Sequence, residues 1–193
     1  MSKEEKNVES MEITNRKVIL VGLRDIMFDR YAGDNETQLL PEQKMYYAED
    51  GKTLVVPSLN LFSFLSAENS TSCAKKFGKR NWRDYSHAFS SFISIEPDLI
   101  PLTKNGKKVV FNGKFNKDIY IRHDVARLRG GIPHPLTRPV VRMPWELSFE
   151  ICMFENEYFS ETLLRNWFEK GGLVIGLGNY RPVFGKFKVE KWE

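Results

Sequence analysis

The sequence predicts an α+β fold with two helices laid on one face of an antiparallel sheet. Three observations lead there. Residues 145–154, WELSFEICMF, alternate Leu147, Phe149 and Ile151 with Glu146, Ser148 and Glu150, the period of a half-buried strand. Two stretches are helical in pattern, LNLFSFLSAEN behind Ser58 and ETLLRNWFEKGG behind Ser160. Strand-like sequence lies beyond each, so strands and helices interleave along 193 residues whose 41% hydrophobic content suffices for one core. The whole chain, 1–193, is expected to be a single domain.

Taken in order, residues 1–11 read as a flexible charged lead. KVILVGL, 17–23, is an apolar run of strand length, and RDIMFDRYAGDNETQLLPEQ after it carries Gly33-Asp34-Asn35 and Pro41, the marks of a long loop. KMYYAEDGKTLVVP, 44–57, sets aromatic and β-branched flanks around Asp50-Gly51, a hairpin dipeptide. Pro57 stops that strand, and Ser58 is placed to cap a helix whose Leu59, Leu61, Phe62, Phe64 and Leu65 leave little polar face. A polar helical stretch is expected over 73–88 and a strand over 90–96, SSFISIE. Asn105-Gly106 then divides DLIPLT from KKVVFNGKF as another hairpin.

DIYIRHDVARLR, 118–129, alternates Ile119, Ile121 and His123 against Tyr120, Arg122 and Asp124, one strand with a basic edge; GGIPHPLTRP after it reads as irregular. Behind Ser160 the helix carries Leu163, Leu164, Trp167 and Phe168 as its apolar stripe. Phe159 is placed to staple onto Leu164, and Gly171-Gly172 mark the end. The last strand, 182–191, alternates Val183, Gly185, Phe187 and Val189 against Phe184, Lys186 and Lys188. With a β-rich insertion over 104–142 set aside, the order is βαββαβ, the ferredoxin-like, RRM-like arrangement. Its free sheet face is a common RNA-binding surface.

No run of eighteen apolar residues occurs and the N-terminus MSKEEKNVES is charged, so neither a membrane span nor a signal peptide is expected, and a cytoplasmic location is. Cys73 and Cys152 lie far apart with no CxxC partner, which implies no disulfide framework or zinc site; no metal or cofactor is expected. The net charge of +4 is modest, but its distribution is uneven. KKFGKRNWR, 75–83, holds Lys75, Lys76, Lys79, Arg80 and Arg83 with no acid, interleaved with Phe77 and Trp82. The insertion holds Arg122, Arg127, Arg129, Arg138 and Arg142. Such clusters fit contacts to a phosphate backbone with aromatic surfaces for stacking; a solvated helix face or surface pairing with acids explains the same letters.

The closing stretch, GLGNYRPVFGKF, makes the sharpest case for a ligand. Gly176, Gly178 and Gly185 permit positive φ and close backbone approach, exposing N–H groups beside Asn179 that can cradle a phosphate. Arg181 adds a planar fork for phosphate oxygens and Lys186 a point charge. Catalysis has less support. No HxxxH, GxSxG or Walker-type loop occurs. His123 beside Asp124 has the chemistry of a general base, but neighbours on a strand point to opposite faces. Asp25, Asp29 and Asp34 sit in the loop after the first strand, where carboxylates are ordinarily turn formers.

The helix ending in Gly-Gly and then IGLGNYRPVFGKF resembles the glycine-rich loop near the end of RAMP-superfamily proteins, the RNA-binding proteins of CRISPR systems. Gly176, Gly178 and Gly185 match, and Phe187 stands where a further glycine is often found. TLVVPSLNLFSFL, 53–65, is similar to a strand, Ile/Val-Pro-Ser and helix segment of the backbone subunits of class 1 CRISPR effector complexes. The tail is also similar to that of short bacteriophage proteins. These likenesses cover a third of the chain. They imply a ferredoxin-like palm with a β-rich, thumb-like insertion, in a subunit that repeats along a guide RNA in antiviral defence. Some type III backbone subunits carry a metal-dependent RNA-cutting aspartate in a comparable loop, a role that would fall to Asp29 or Asp34. The expected function is therefore non-catalytic binding of single-stranded nucleic acid, RNA ahead of DNA. Its rivals are a phage-encoded interaction or anti-defence protein acting through protein contacts and a metal-dependent ribonuclease.

Overall fold

The computed structural model describes residues 12–34, 36–127, 131, 133–156 and 160–193, with the backbone alone at 126 and 127. The expected lead at 1–11, Arg129 and the staple residue Phe159 lie outside the described residues. In chain order the elements are β1 (Ile13–Gly22), β2 (Ile26–Met27), β3 (Val55–Pro57), α1 (Ser58–Ser66), α2 (Cys73–Phe77), α3 (Trp82–Phe92), β4 (Ile93–Glu96), β5 (Leu99–Lys104), β6 (Lys107–Lys108), β7 (Ile119–Arg127), β8 (Pro133–Val141), β9 (Glu146–Phe154), α4 (Glu161–Val174) and β10 (Phe187–Trp192).

The chain is an α+β protein with antiparallel sheets. The larger sheet has the order β10-β1-β9-β5-β3, with β4 also paired to β9 and β6 to β5. β4 and β5 act as one strand broken at Pro97-Asp98, for both run antiparallel to β9, through Ile95↔Ile151 and Leu102↔Leu147. The alternation of WELSFEICMF is used as expected: Leu147, Phe149 and Ile151 are buried, opposite Leu20 and Val18 of β1. On that face lie Leu61, Phe64, Phe89, Leu164, Trp167 and Phe168 of the helices, with the rings of Phe168 and Phe149 at 6.1 Å. The opposite face exposes Lys17, Glu96, Ser148 and Glu150, and Glu96 pairs directly with Glu150. On its other side Glu150 pairs with Lys17, so carboxylates and a lysine stand side by side on that face. Among the described residues no helix is long and apolar enough to cross a membrane.

A smaller sheet, β2-β8-β7, holds the long β7–β8 hairpin, paired from Ile119↔Val141 to Arg127↔Pro133. GGIPHPLTRP is thus largely strand rather than irregular. The proline positions explain how. The Phe28 N–H donates to the Pro139 carbonyl, so odd-numbered residues of β8 direct their backbone polar groups away from β7. Pro133, Pro135 and Pro139 share that parity, and no ladder bond to β7 is lost.

Other boundaries also shift. Pro57 is the N-cap of α1 and Ser58 its first residue, its N–H donating to the Asp98 carbonyl. The expected helix at 73–88 is two helices parted at Gly78-Lys79, where Lys79 takes φ 51°. α3 runs to Phe92, so the strand expected from 90 begins at Ile93. The hairpin at 44–57 contracts to the bridge Tyr47↔Leu54 around an Asp50-Gly51 turn, whereas the Asn105-Gly106 turn forms as expected, both residues at positive φ. Ser160 caps α4 by accepting from the Leu163 N–H, but the helix continues through Gly171-Gly172 to Val174. The last strand begins at Phe187 rather than 182, since residues 178–185 form a folded loop in which Val183 faces solvent and Phe184 is buried.

Candidate nucleic-acid interface

The loop between α4 and β10 is folded by its glycines onto β2 and onto itself. A Cβ on Gly178 would lie 2.5 Å from the Met27 carbonyl oxygen, and one on Gly185 1.7 Å from that of Leu177; both glycines have positive φ. The amides between them serve the same closure. The N–H groups of Leu177, Asn179 and Gly185 donate to the carbonyls of Gly185, Met27 and Asp25 at 2.9, 2.8 and 2.8 Å. The expected phosphate cradle is therefore not built from these three donors. Tyr180, Pro182 and Val183 of the loop are exposed, and beside them it presents the half-buried side chains of Asn179 and Arg181.

Those side chains edge two adjoining cavities, of about 210 and 310 Å³, that share Ser70, Gly178, Asn179 and Arg181. The smaller reaches Asp29, Asn60 and Ser63; the larger reaches Thr71, Val174 and Pro182. Arg181 lies half-buried where they meet. Its Nη2 donates to Ser70 Oγ at 3.3 Å, and among the described residues it has no carboxylate partner. Burial lowers its pKa from the ordinary arginine value, the mark of a cation left partly desolvated without compensation. Burial also pushes the Cys73 thiol up, which keeps it protonated and unreactive.

The insertion arginines are placed differently. The even-numbered side chains of the hairpin, read as a basic edge in the sequence, face the glycine-rich loop across a small cluster of Met27, Val140, Phe184 and Tyr120. Arg122 Nε donates to both oxygens of Asp124 at 2.9 Å and its guanidinium lies 5.1 Å from the Phe184 ring centroid. Arg138 Nε donates to Asp29 at 2.7 Å. Arg142 is exposed, 5.1 Å from the Tyr120 ring, and of Arg127 the backbone alone is described. In the 75–83 segment, Lys75 and Arg83 lie 5.3 and 4.7 Å from the Trp82 ring. Phe77 of that segment, like Tyr85 just beyond it, packs on Trp167 in the interior, so both rings belong to the core. Lys76, Lys79 and Arg80 are exposed. The half-buried Lys186 accepts at its carbonyl from the Leu23 and Arg24 N–H groups.

Of the catalytic candidates only Asp29 reaches the cleft, where Arg138 and, at 3.5 Å, Lys44 hold its carboxylate. Asp34 accepts from the Glu36 and Thr37 N–H groups and the Thr37 hydroxyl, bonds that hold it below the usual carboxylate range in a turn. His123 is exposed, while the neighbouring Asp124 is engaged by Arg122. Asp25 accepts from the Tyr120 hydroxyl and the Met143 N–H, tying the first loop to the hairpin. Among the described residues no three His, Cys, Asp or Glu side chains group as a metal site. Sequence reasoning missed Asn60, Ser63, Ser70 and Thr71. The signal for the first two was there: polar residues three apart break an otherwise apolar helix and share one face.

No protein-family model and no curated protein matches the sequence. Among solved structures, a chain in the cryo-EM structure of the Type III-B Cmr-beta bound to cognate target RNA matches with TM-score 0.60 at 11% identity, over 94% of this chain. This chain spans 60% of the length of that one. At such identity the likeness is one of fold, and the chain is an α+β protein whose antiparallel-sheet architecture is shared with a chain of that assembly.

Proposed function

We propose that this chain is a non-catalytic, RAMP-like protein that binds single-stranded RNA through the sugar-phosphate backbone. The observation that carries the reading is Arg181: a half-buried guanidinium, unmatched by a carboxylate among the described residues, at the junction of two polar cavities. A phosphate is the ligand that such a fork accepts bidentately, and Asn179, Ser70 and Ser63 offer neutral partners around it. The strand order β10-β1-β9 and then β4/β5 supports a ferredoxin-like palm, with α1 to α3 in the first crossover and α4 in the second. Residues 104–142, between β5 and β9, would then be its thumb-like insertion. The fold likeness to a chain of an RNA-bound assembly favours RNA over DNA and a repeating subunit of a CRISPR-like ribonucleoprotein in the cytoplasm.

The test is an anisotropy titration of a labelled single-stranded RNA at two salt concentrations, with DNA of the same sequence beside it. Binding should be micromolar or tighter, tighter for RNA, and should weaken steeply with salt. Arg181→Ala should weaken it by about tenfold, the loss of a charge-assisted pair. No binding at low salt overturns the reading. Cleavage of the RNA that stops in Asp29→Asn overturns its non-catalytic part.

A further inference from the structure

We infer that Tyr180 is a stacking platform for one base of the bound strand. The inference rests on the proposed backbone grip at Arg181 and deepens it. Tyr180 takes φ 55°, a left-handed conformation that glycine or asparagine enters more easily. A bulky ring is nevertheless kept there, with 51% of the residue exposed. Its ring meets that of Phe184 at 6.2 Å and 58°. That support is firm: Phe184 is buried, Arg122 lies on its ring, and its N–H donates to the Tyr180 carbonyl, closing the turn. Tyr180 lines the 310 Å³ cavity that Arg181 also lines. A strained backbone, an aromatic group held half in water and an adjacent phosphate-competent cation together match what an unstacked nucleotide needs.

The tryptophan of the 75–83 segment serves less well. Trp82 carries both Lys75 and Arg83 against its ring, so its π-system is already engaged. At Tyr180 a base would meet an open ring while its phosphate meets Arg181. Because every base has a π-face, the contact would tolerate sequence and favour bases that stack strongly.

Two labelled RNAs of equal length test this, one with all its bases and one abasic at every position, bound to wild type, Tyr180→Trp, Tyr180→Leu and Tyr180→Asn. Leucine keeps apolar bulk, and asparagine suits the backbone conformation. Wild type and Tyr180→Trp should bind the base-bearing strand about tenfold more tightly than the abasic one, and the other two should lose that ratio while binding the abasic strand unchanged. Equal binding of both strands by wild type, with both weakened in Arg181→Ala, overturns the platform and leaves the backbone grip standing. Binding of neither strand overturns the grip and the platform together. Loss of abasic binding in the leucine and asparagine variants assigns Tyr180 to loop structure and overturns the platform.

Discussion

Gly185 and Gly113 both have left-handed backbones, φ 72° and 77°, but their surroundings differ. A Cβ on Gly185 would enter the Leu177 carbonyl, whereas Gly113 has nothing within 4 Å. Alanine at either position meets the left-handed cost of about 1 kcal/mol, and at Gly185 it must also part the Leu177–Gly185 hydrogen bond that closes the loop. Urea denaturation should show Gly113→Ala less stable by about 1 kcal/mol and Gly185→Ala by about 3 kcal/mol or more. Asp50 supplies a pH handle in the same way, residue by residue. Its carboxylate accepts from the Lys52 and Thr53 N–H groups and the Thr53 hydroxyl at 2.8, 2.7 and 2.6 Å, which lowers its pKa to about 2. Because the folded value is depressed, the stabilisation is complete above the unfolded value of about 4 and is lost as the pH falls through the folded one. Wild type should therefore lose stability between about pH 4 and 2 more steeply than Asp50→Ala, and the Asp50 carboxyl resonance should titrate at the foot of that window.

α4 turns an expectation about glycine around. Gly171-Gly172 looks like a helix stop, yet both lie inside the helix, because a Cβ at the first would meet Cys73 and Phe64 at 2.6 Å and one at the second the Phe187 carbonyl at 2.5 Å. They let α4 sit directly against α1, α2 and β10. Gly172→Ala should gain about 1 kcal/mol of helix propensity and lose more than that to overpacking against backbone, a net destabilisation of about 1–2 kcal/mol by thermal melting. Elements with one buried face were legible in sequence, since β9 and α4 show their period directly and β1 an apolar run of strand length. β8 was not, because its prolines spare the ladder to β7 only through their parity, and parity appears only once the pairing is known. The site divides similarly. Arg181 and the glycine-rich loop stood out as letters, whereas the cleft draws on five separated segments. The partner that occupies Arg138 is Asp29, 109 positions away, so no local pattern could reveal that Arg138 is already satisfied, whereas the partner of Arg122, Asp124, lies two positions away on the same strand face.

Across the whole molecule, the 29 lysines and arginines divide into those neutralised internally and those open to a polyanion. Arg16 is bound by Glu161, Lys104 by Asp118, Arg122 by Asp124, and Arg138 and Lys44 by Asp29. On the free sheet face Glu150 lies between Glu96 and Lys17, so carboxylates and a cation stand side by side there. Positive charge outside these ion pairs includes Arg181 and the exposed Lys76, Lys79 and Arg80, in a segment that follows directly on Ser70 and Thr71 of the cleft wall. A strand held at Arg181 would extend along that segment. Each cation that neutralises a phosphate of single-stranded nucleic acid contributes about 0.7 to the slope of log affinity against log salt. Replacing Lys76, Lys79 and Arg80 together by glutamine should therefore lower the slope by about 2, and Arg181→Gln by about 0.7. Arg122→Gln and Arg138→Gln should leave the slope unchanged and lower the melting temperature instead, because each abandons a partly buried carboxylate. A slope that falls in Arg122→Gln as much as in the 76/79/80 variant would mean that the hairpin's basic face meets the strand, with Asp124 giving way to phosphate when RNA binds.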